Sequence, residues 1–348
     1  MLSLLRKSPE ARPSQGETHA GLPERAPPRP RPKVGLALGA GAARGWSHIG
    51  VIQELVSNGI VPDVIAGTSI GAVVGGCFAA GKLEQLESFA RALTRRRIFS
   101  LLDLSFSGGG LFSGGRLKTR LDRELADIHI EDLPIAFAAV ATEVGSGHEV
   151  WLTRGSLVDA MRASYALPGI FEPVKLNGRW LFDGALVNPI PVAVCRALGA
   201  DLVIAVNLIG DTMFRGTVIS DRVVVDQTLQ ALDVAANTVD TSRNGGLAER
   251  AQNGFFRRTF GRGEDGTPGI ASAMLDALNI TQDRIARSRL AGDPPDVTIS
   301  ARGLGRFGLF DFHCGNELID SGREAVRRSL NDIEHHLATV SVGTRRTI

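Results

Sequence analysis

Cysteine is scarce in this chain of 348 residues. The three cysteines, Cys77, Cys195 and Cys314, lie far apart, and no two of them form a CxxC pair. Disulfide frameworks and zinc sites need cysteines at characteristic spacings, so the sequence argues against both. The same pattern is typical of proteins from a reducing compartment, and we therefore expect a cytoplasmic location.

An excess of one sign of charge is also absent. The chain has 39 Lys and Arg against 37 Asp and Glu, a formal net charge of +2. This near-neutral balance argues against a nucleic-acid partner. Apolar residues make up 43% of the chain and charged residues 22%, a composition typical of a globular protein with a sizeable core.

Clear membrane signals are missing. The N-terminal "MLSLLRKSPEARP" has too short an apolar run for a secretory signal peptide, and no small-residue cleavage site follows it. The uncharged stretch Val64 to Gly81 has the length of a membrane span, but its glycine, alanine, serine and threonine supply little transfer free energy. We therefore expect this stretch to fold within a soluble domain.

Composition divides the chain into four parts. Residues 1–33 hold 7 of the 16 prolines and carry 7 Lys and Arg against 3 Asp and Glu, which predicts a disordered basic tail. Such a tail is compatible with peripheral contact at the inner face of a membrane, although a solvated linker is the commoner role. We expect an ordered core over 34–208, a mobile insertion or lid over 209–269, and helices with one strand over 270–340 that complete the same domain.

The first ordered elements alternate between strands and helices. "VGLALG" and "VPDVIAG" are short apolar runs typical of buried strands, and "HIGVIQELVSNG" and "SIGAVVGGCFAAG" have the apolar spacing or length of helices. This order predicts an α/β fold with a parallel sheet covered by helices. Further along, we expect a helix from Leu83 that ends in "TRRR", a flexible loop at "SGGGLFSGG", and an amphipathic helix marked by Leu117, Leu121 and Leu125.

The pentapeptide "GTSIG" fits the G-x-S-x-G pattern of a nucleophile elbow between a strand and a helix. Such a turn holds the serine in a strained backbone conformation, so the positions two residues away must lack bulky side chains. The helix N-terminus adds partial positive charge where negative charge develops. The sequence therefore predicts a nucleophilic serine within an elbow formed by Gly67, Thr68, Ser69, Ile70 and Gly71.

A second glycine-rich stretch, "GAGAARGWSH", follows the first strand and opens a helix. As a dinucleotide fingerprint it fails by one residue, because Arg44 stands where the third glycine belongs. As an oxyanion hole it would present free backbone N–H groups, with those near Gly41 and Ala42 facing the oxygen. We favour the oxyanion hole, formed within Gly39, Ala40, Gly41, Ala42, Ala43, Arg44 and Gly45.

A third stretch, "FDGALVNPIP", places an acidic residue at the end of a strand. Open α/β sheets hold their sites at this carboxyl edge. The residues of interest are Asp183, Gly184 and Ala185. Taken alone, a carboxylate before glycine is more often an Asx-turn that shapes the loop.

In this order, "GLALGAGAARGWSHIGV", "GTSIG" and "DGALVNPIPV" resemble the patatin-like phospholipase family, most closely its bacterial branch related to neuropathy target esterase. "RASYALPGIFEPV" and a late "FDF" are weaker matches. The resemblance covers about residues 34–208. It implies a three-layer α/β/α patatin-like fold with a mainly parallel central sheet.

The same resemblance implies a serine lipid acyl hydrolase, which would be a phospholipase, a lysophospholipase or a carboxylesterase. Ser69 would be the nucleophile and Asp183 the proton acceptor, in a Ser–Asp dyad that uses no histidine, metal or other cofactor. The substrate would be a lipid or another acyl ester. Arg44 matches the basic residue of the family's glycine loop, where it would steady the loop or attract a lipid phosphate. The family commonly has glycine where Ala40 and Ala42 stand.

Alternatives remain open at this stage. His313, His335 and His336 come late enough in the chain for an ordinary Ser–Asp–His order, whereas His48 is expected to be a core or capping residue. A non-catalytic lipid-binding or regulatory protein on the same fold is the second functional hypothesis, because a fold does not fix a function. The dyad hypothesis requires that Ser69 and Asp183, far apart in sequence, meet within hydrogen-bonding distance.

Overall fold

The computed structural model describes residues 31–101, 110–209, 269–301 and 303–343. Most of the tail predicted over 1–33 lies outside these ranges. The insertion predicted over 209–269 also lies outside them, except for its first and last residues. Within the described residues, no helix is long and apolar enough to cross a membrane.

The described residues form ten strands and nine α-helices. The strands are β1 (Val34–Leu38), β2 (Val64–Thr68), β3 (Gly110–Phe112), β4 (Ala136–Glu143), β5 (Glu149–Leu152), β6 (Gly169–Phe171), β7 (Val174–Leu176), β8 (Arg179–Asp183), β9 (Leu202–Asn207) and β10 (Val297–Ser300). The helices are α1 (Ser47–Ser57), α2 (Ile70–Ala79), α3 (Leu83–Arg91), α4 (Arg95–Leu101), α5 (Gly115–Leu125), α6 (Leu157–Ser164), α7 (Val192–Ala197), α8 (Ile270–Gly292) and α9 (Gly315–Gly343).

Eight of these strands form one central sheet in the order β10-β9-β1-β2-β4-β8-β7, with β5 paired to β4. The pairs from β10 to β4 are all parallel. The pairs of β8 with β4 and β7, and of β5 with β4, are antiparallel. The sheet is therefore mainly parallel, as the alternation of strands and helices predicts.

Helices cover both faces of this sheet, which gives three layers. The larger apolar cluster joins one face to α1, α2, α6 and α9. The smaller cluster joins the other face to α7 and α8. Strands buried on both faces must be apolar along their whole length, which explains why "VGLAL" and "VIAGT" show no polar alternation.

Strand β4 aligns the ends of two other strands. β2 runs parallel to β4, and its last residue, Thr68, lies opposite Val140. β8 runs antiparallel to β4, and its last residue, Asp183, lies opposite Ala141. β5 pairs with residues 139–142 of β4, which overlap the stretches of β4 that pair with β2 and with β8. Because β5 occupies one edge of β4 there, β2 and β8 must both lie along the other edge. The carboxyl ends of β2 and β8 therefore converge.

Two local predictions are wrong. The "TRRR" run does not end the helix that begins at Leu83: α3 ends at Arg91 and α4 begins at Arg95. The "SGGGLFSGG" stretch is not only a loop, because Gly110–Phe112 pairs in parallel with β6. Pairing with a distant segment supplies the hydrogen bonds that glycine-rich sequence does not predict.

Helices α1 and α9 pack in close contact around Gly50. A Cβ atom built on Gly50 would lie 1.9 Å from the carbonyl oxygen of Ile319. This distance is far below van der Waals contact, so any side chain at position 50 must push the two helices apart. The C-terminal helix is thereby fixed against the first helix of the core.

We expect Gly50→Ala to lower the free energy of unfolding by about 1–3 kcal/mol, the range typical of overpacked interiors. Urea unfolding of the variant and the wild type would measure this loss. Gly292→Ala is the matched control, because no heavy atom lies within 4 Å of a Cβ at that helical position. Equal stabilities for the wild type and Gly50→Ala would contradict the close packing of α1 and α9.

Candidate active site

Ser69 lies in the sharp turn between β2 and α2. Its backbone has φ 57° and ψ −125°, a conformation that residues with a side chain rarely adopt. A Cβ atom on Gly71 would lie 2.2 Å from the carbonyl oxygen of Leu38, and one on Gly67 would lie 2.5 Å from the backbone of Ala72. The two glycines therefore allow the tight turn that the elbow pattern requires.

Ser164, at the end of α6, fixes the backbone of this turn. The amide of Ser69 donates a hydrogen bond of 2.9 Å to Ser164 Oγ. The Ser164 hydroxyl in turn donates to the carbonyl oxygen of Val140 at 2.6 Å. Since Ser164 is fully buried, both hydrogen bonds are protected from water. Ser164 is a positioning residue that ties the turn to β4.

The side chains of Ser69 and Asp183 lie in direct contact although they are 114 positions apart in the sequence. Ser69 Oγ donates to Asp183 Oδ2 at 2.6 Å, a short bond typical of a hydroxyl on a carboxylate. The other carboxylate oxygen, Oδ1, accepts from the amide of Ala185 at 2.8 Å. Thr142 Oγ1 donates to the carbonyl oxygen of Asp183 at 2.8 Å. Asp183 is thus held at both its backbone and its side chain.

The protonation of Asp183 is strongly affected by its surroundings. Burial raises the pKa of the Asp183 carboxyl from its ordinary value to about 7, and the hydrogen bonds from Ser69 and Ala185 offset part of this effect. The side chain is 2% exposed. An ordinary aspartate is a poor proton acceptor near neutral pH, whereas a carboxylate with this pKa is a much stronger base.

The glycine loop, residues 39–45, combines bonded and free amides. Four amides donate to protein carbonyls: Gly39 to Val206 (3.2 Å), Ala40 to Pro189 (2.9 Å), Ala43 to Leu309 (3.1 Å) and Arg44 to Gly41 (3.1 Å). Among the described residues, the amides of Gly41 and Ala42 have no acceptor. The anchored amides hold the loop in place, and the two free N–H groups remain available to an external oxygen.

Two side chains steady this loop from within. His48 is fully buried, and its Nε2 lies 2.7 Å from the carbonyl oxygen of Gly39. Burial lowers the pKa of His48 to about 4, so the ring is neutral and Nε2 carries the donated proton. Arg44 is also buried, and its Nε donates to the carbonyl oxygen of Gly41 at 3.4 Å. Of the two roles considered for Arg44, this contact favours steadying the loop.

One of the alanines that stand where the family commonly has glycine has an unusual backbone conformation. Ala42 has φ 48°, in the left-handed region that glycine adopts most readily. An alanine there is strained by about 1–2 kcal/mol, yet its amide is as available as that of glycine. The amide of Ile70, directly after Ser69, also has no acceptor among the described residues. An amide at this position is a third candidate donor that the sequence analysis did not single out.

An apolar cavity of about 200 Å³ opens beside these groups. Ser69, Asp183 and Ala42 contribute to its lining, so the hydroxyl, the carboxylate and the loop face one space. The remaining walls are mostly aliphatic and aromatic side chains, including Trp46, Val73, Leu121, Leu125, Tyr165 and Phe171. Such a surface binds hydrocarbon and excludes water.

The late histidines do not join this group. His313 lies beside Arg95, with its Nε2 3.1 Å from the Arg95 Nε, and it is absent from the cavity lining. His335 is exposed and His336 half-buried on α9, and neither lines the cavity. Within the described residues, no histidine lines the cavity.

Several residues that position the site were not predicted from the sequence. Thr142 and Ser164 use their hydroxyl groups on backbone atoms of other elements. Asn188 accepts from Thr68 Oγ1 at 2.8 Å through its carbonyl oxygen, and its side chain donates to Glu149 at 2.7 Å. Ser164 lies in "RASYALPGIFEPV" and Asn188 in "DGALVNPIPV". Their place in stretches that resemble the family is the sequence signal that could have identified them.

The raised pKa of Asp183 predicts how stability depends on pH. The folded protein holds this proton more tightly than the unfolded chain, so the stabilisation is complete below the ordinary pKa of 3.8 and is lost as pH rises through about 7. Asp183→Asn removes the titration. We expect the free energy of unfolding of this variant, minus that of the wild type, to increase across that window by up to about 1.4 kcal/mol per pH unit. Urea unfolding over a pH series measures it, and a constant difference would contradict the raised pKa.

Comparisons with known proteins place the chain in a family. Residues 36–196 match the model of the patatin-like phospholipase family. An uncharacterized NTE family protein of Mycobacterium bovis is 35% identical over 335 residues, which cover 87% of this chain and 92% of the relative. Patatin-like phospholipase domain-containing protein 7 of Mus musculus is 32% identical over 182 residues, 50% of this chain and 13% of that longer protein.

Among solved structures, VipD from Legionella pneumophila aligns with 84% of this chain and 67% of its own, at a TM-score of 0.37 and 15% identity. A similarity this weak supports no conclusion about this chain. The family model instead spans the elbow, the glycine loop and Asp183, and the mycobacterial relative extends the similarity over nearly its whole length. The chain therefore belongs to the patatin-like phospholipase family, together with proteins named as NTE family members.

Proposed function

We propose that this protein is a serine lipid acyl hydrolase in which Ser69 is the nucleophile and Asp183 the proton acceptor. The observation that carries the proposal is the 2.6 Å hydrogen bond from Ser69 Oγ to Asp183 Oδ2 at the wall of an apolar cavity. Membership of the patatin-like phospholipase family implies a lipid substrate of the same class. A cytoplasmic location, with peripheral contact at a lipid surface, belongs to the same proposal.

In the first half of the reaction, Ser69 Oγ attacks the ester carbonyl carbon while its proton passes to the Asp183 carboxylate. The carbonyl oxygen becomes an alkoxide, and collapse of this tetrahedral intermediate breaks the bond to the leaving alcohol. Asp183 returns the proton to that alcohol. The acyl group is then bound covalently to Ser69.

In the second half, a water molecule attacks the acyl carbon and gives its proton to Asp183. The second tetrahedral intermediate expels Ser69 Oγ, which takes the proton back. A carboxylic acid leaves, and both side chains return to their starting states. One carboxylate serves both halves because in each it first accepts the proton of the attacking group and then returns it to the leaving group.

The free amides of the glycine loop would stabilise the alkoxide. Those of Gly41 and Ala42 have no protein acceptor among the described residues, and the Ile70 amide follows Ser69 at the start of α2. Donors of this kind each contribute about 10²–10³ in rate when the site excludes water. With a carboxylate as the sole base, much of the rate acceleration must come from these donors.

The nucleophile is tested by covalent labelling. A fluorophosphonate probe should label the wild type and fail to label Ser69→Ala, because the probe reacts with an activated serine hydroxyl. Ser57→Ala is the control, since Ser57 is an exposed serine at the end of α1. Equal labelling of the wild type and Ser69→Ala would remove the assignment. Liposome binding together with ester turnover insensitive to Ser69→Ala would favour a non-catalytic lipid-binding protein.

The proton acceptor is tested by its pH dependence. We expect kcat/KM for p-nitrophenyl butyrate to rise with pH and level off above an apparent pKa near 7, because only the ionised Asp183 carboxylate accepts the proton. Asp183→Asn should lose at least about 10² in kcat and should lack this dependence. Both the loss in kcat and the pH dependence are measured from initial rates, recorded at the isosbestic wavelength of p-nitrophenol, where its absorbance does not change with pH. Retained activity in Asp183→Asn would leave Asp183 a purely structural role.

A further inference from the structure

The apolar cavity follows the length of helix α2. Ile70, Val73 and Cys77 line it, and their spacing places them on one face of that helix. Seven residues of helix rise about 10 Å, so the cavity extends about this far from the turn that holds Ser69. Lys82 lines the cavity just beyond the helix end. The cavity therefore reaches from Ser69 along α2 to its C-terminal end.

A thin wall bounds part of the cavity, and the 4.0 Å contact of its Glu124 with Lys82 places it near the C-terminal end of α2. Four residues line both the cavity and a separate polar groove on the outer surface, namely Gln85 and Phe89 of α3 with Arg120 and Glu124 of α5. A side chain that faces two spaces lies between them. This wall therefore separates the hydrocarbon-like interior from the solvent groove.

Arg120 contacts two other members of this wall. Its guanidinium lies over the Phe89 ring, 5.7 Å from the centroid, and its Nη1 lies 3.8 Å from Glu124 Oε1. Glu124 Oε2 is also 4.0 Å from Lys82 Nζ. The Arg120 side chain is 37% exposed, so the charged group remains hydrated while its stem covers apolar surface. These contacts place the side chain in the wall between the cavity and the groove.

We propose that Arg120 sets the length of the acyl chain that this protein accepts. The inference rests on the proposed function, because it takes the cavity beside Ser69 as the acyl site. An extended hydrocarbon chain advances about 1.25 Å per carbon, since its bonds of about 1.5 Å form a zigzag. A cavity about 10 Å long therefore holds an acyl chain of about eight to ten carbons. Longer chains meet Arg120 before the ester reaches Ser69.

Removal of the wall tests this assignment. Wild type should hydrolyse p-nitrophenyl octanoate in preference to the palmitate ester. We expect Arg120→Ala to raise the ratio of kcat/KM for palmitate to that for octanoate by about tenfold, because steric exclusion of surplus methylenes has effects of at least this size. Arg123→Ala is the matched control, since Arg123 is exposed on the same helix and lines neither space. An unchanged ratio in Arg120→Ala would overturn the inference.

A binding experiment separates this inference from the proposed chemistry. In the Ser69→Ala background, octanoate and palmitate are titrated as competitors of the fluorescent fatty acid cis-parinaric acid. Adding Arg120→Ala should strengthen the binding of palmitate relative to octanoate by about tenfold, whereas adding Arg123→Ala should not. Equal relative affinities in the two double variants would refute the role of Arg120. If Ser69 proves unreactive while palmitate binding still improves, only the proposed hydrolase function fails.

Discussion

The site depends on the shared edge of strand β4. Thr68 and Asp183, the last residues of β2 and β8, lie opposite consecutive residues of β4, Val140 and Ala141. The hydrogen-bond register of one strand therefore determines the distance between Ser69 and Asp183. A slip of one residue in either pairing would turn the side chains to the opposite face of the sheet. Backbone pairing achieves a precision that flexible loops alone do not provide.

Burial determines the protonation states of two side chains near the site, Asp183 and His48. Burial raises the pKa of Asp183, and burial also lowers the pKa of His48 and keeps its ring neutral. A neutral histidine donates to the Gly39 carbonyl without adding a charge to the glycine loop. The carbonyl group of Gly39 is thus held by a neutral contact, and the Asp183 carboxylate is the ionisable group that contacts Ser69.

The sequence predicts the fold best where the signal is local. The apolar runs of β1 and β2 and the helix that follows Ser69 agree with the structure, and so does the parallel sheet that their order implies. Strand β3 could not be predicted, because its pairing with β6 joins segments more than fifty residues apart. The break between α3 and α4 falls in a charged sequence that suits either a helix end or a helix start.

In the candidate site, sequence motifs point to the two reacting side chains. The residues that hold these side chains in position can be found only from the tertiary structure. The elbow pattern singles out Ser69, the family resemblance adds Asp183, and the structure places their side chains in contact. The hydroxyl groups of Thr142 and Ser164 act on backbone atoms of distant elements, and a serine or threonine carries no local signal for such a partner. The strain at Ala42 likewise requires coordinates, because a left-handed alanine has no sequence signature.

The glycine loop is also anchored from a distant part of the chain. The amide of Ala43 donates to the carbonyl oxygen of Leu309, and α1, which follows the loop, packs against α9. Because both contacts come from segments far away in the sequence, the N-terminal half of the domain folded by itself would lack this anchor.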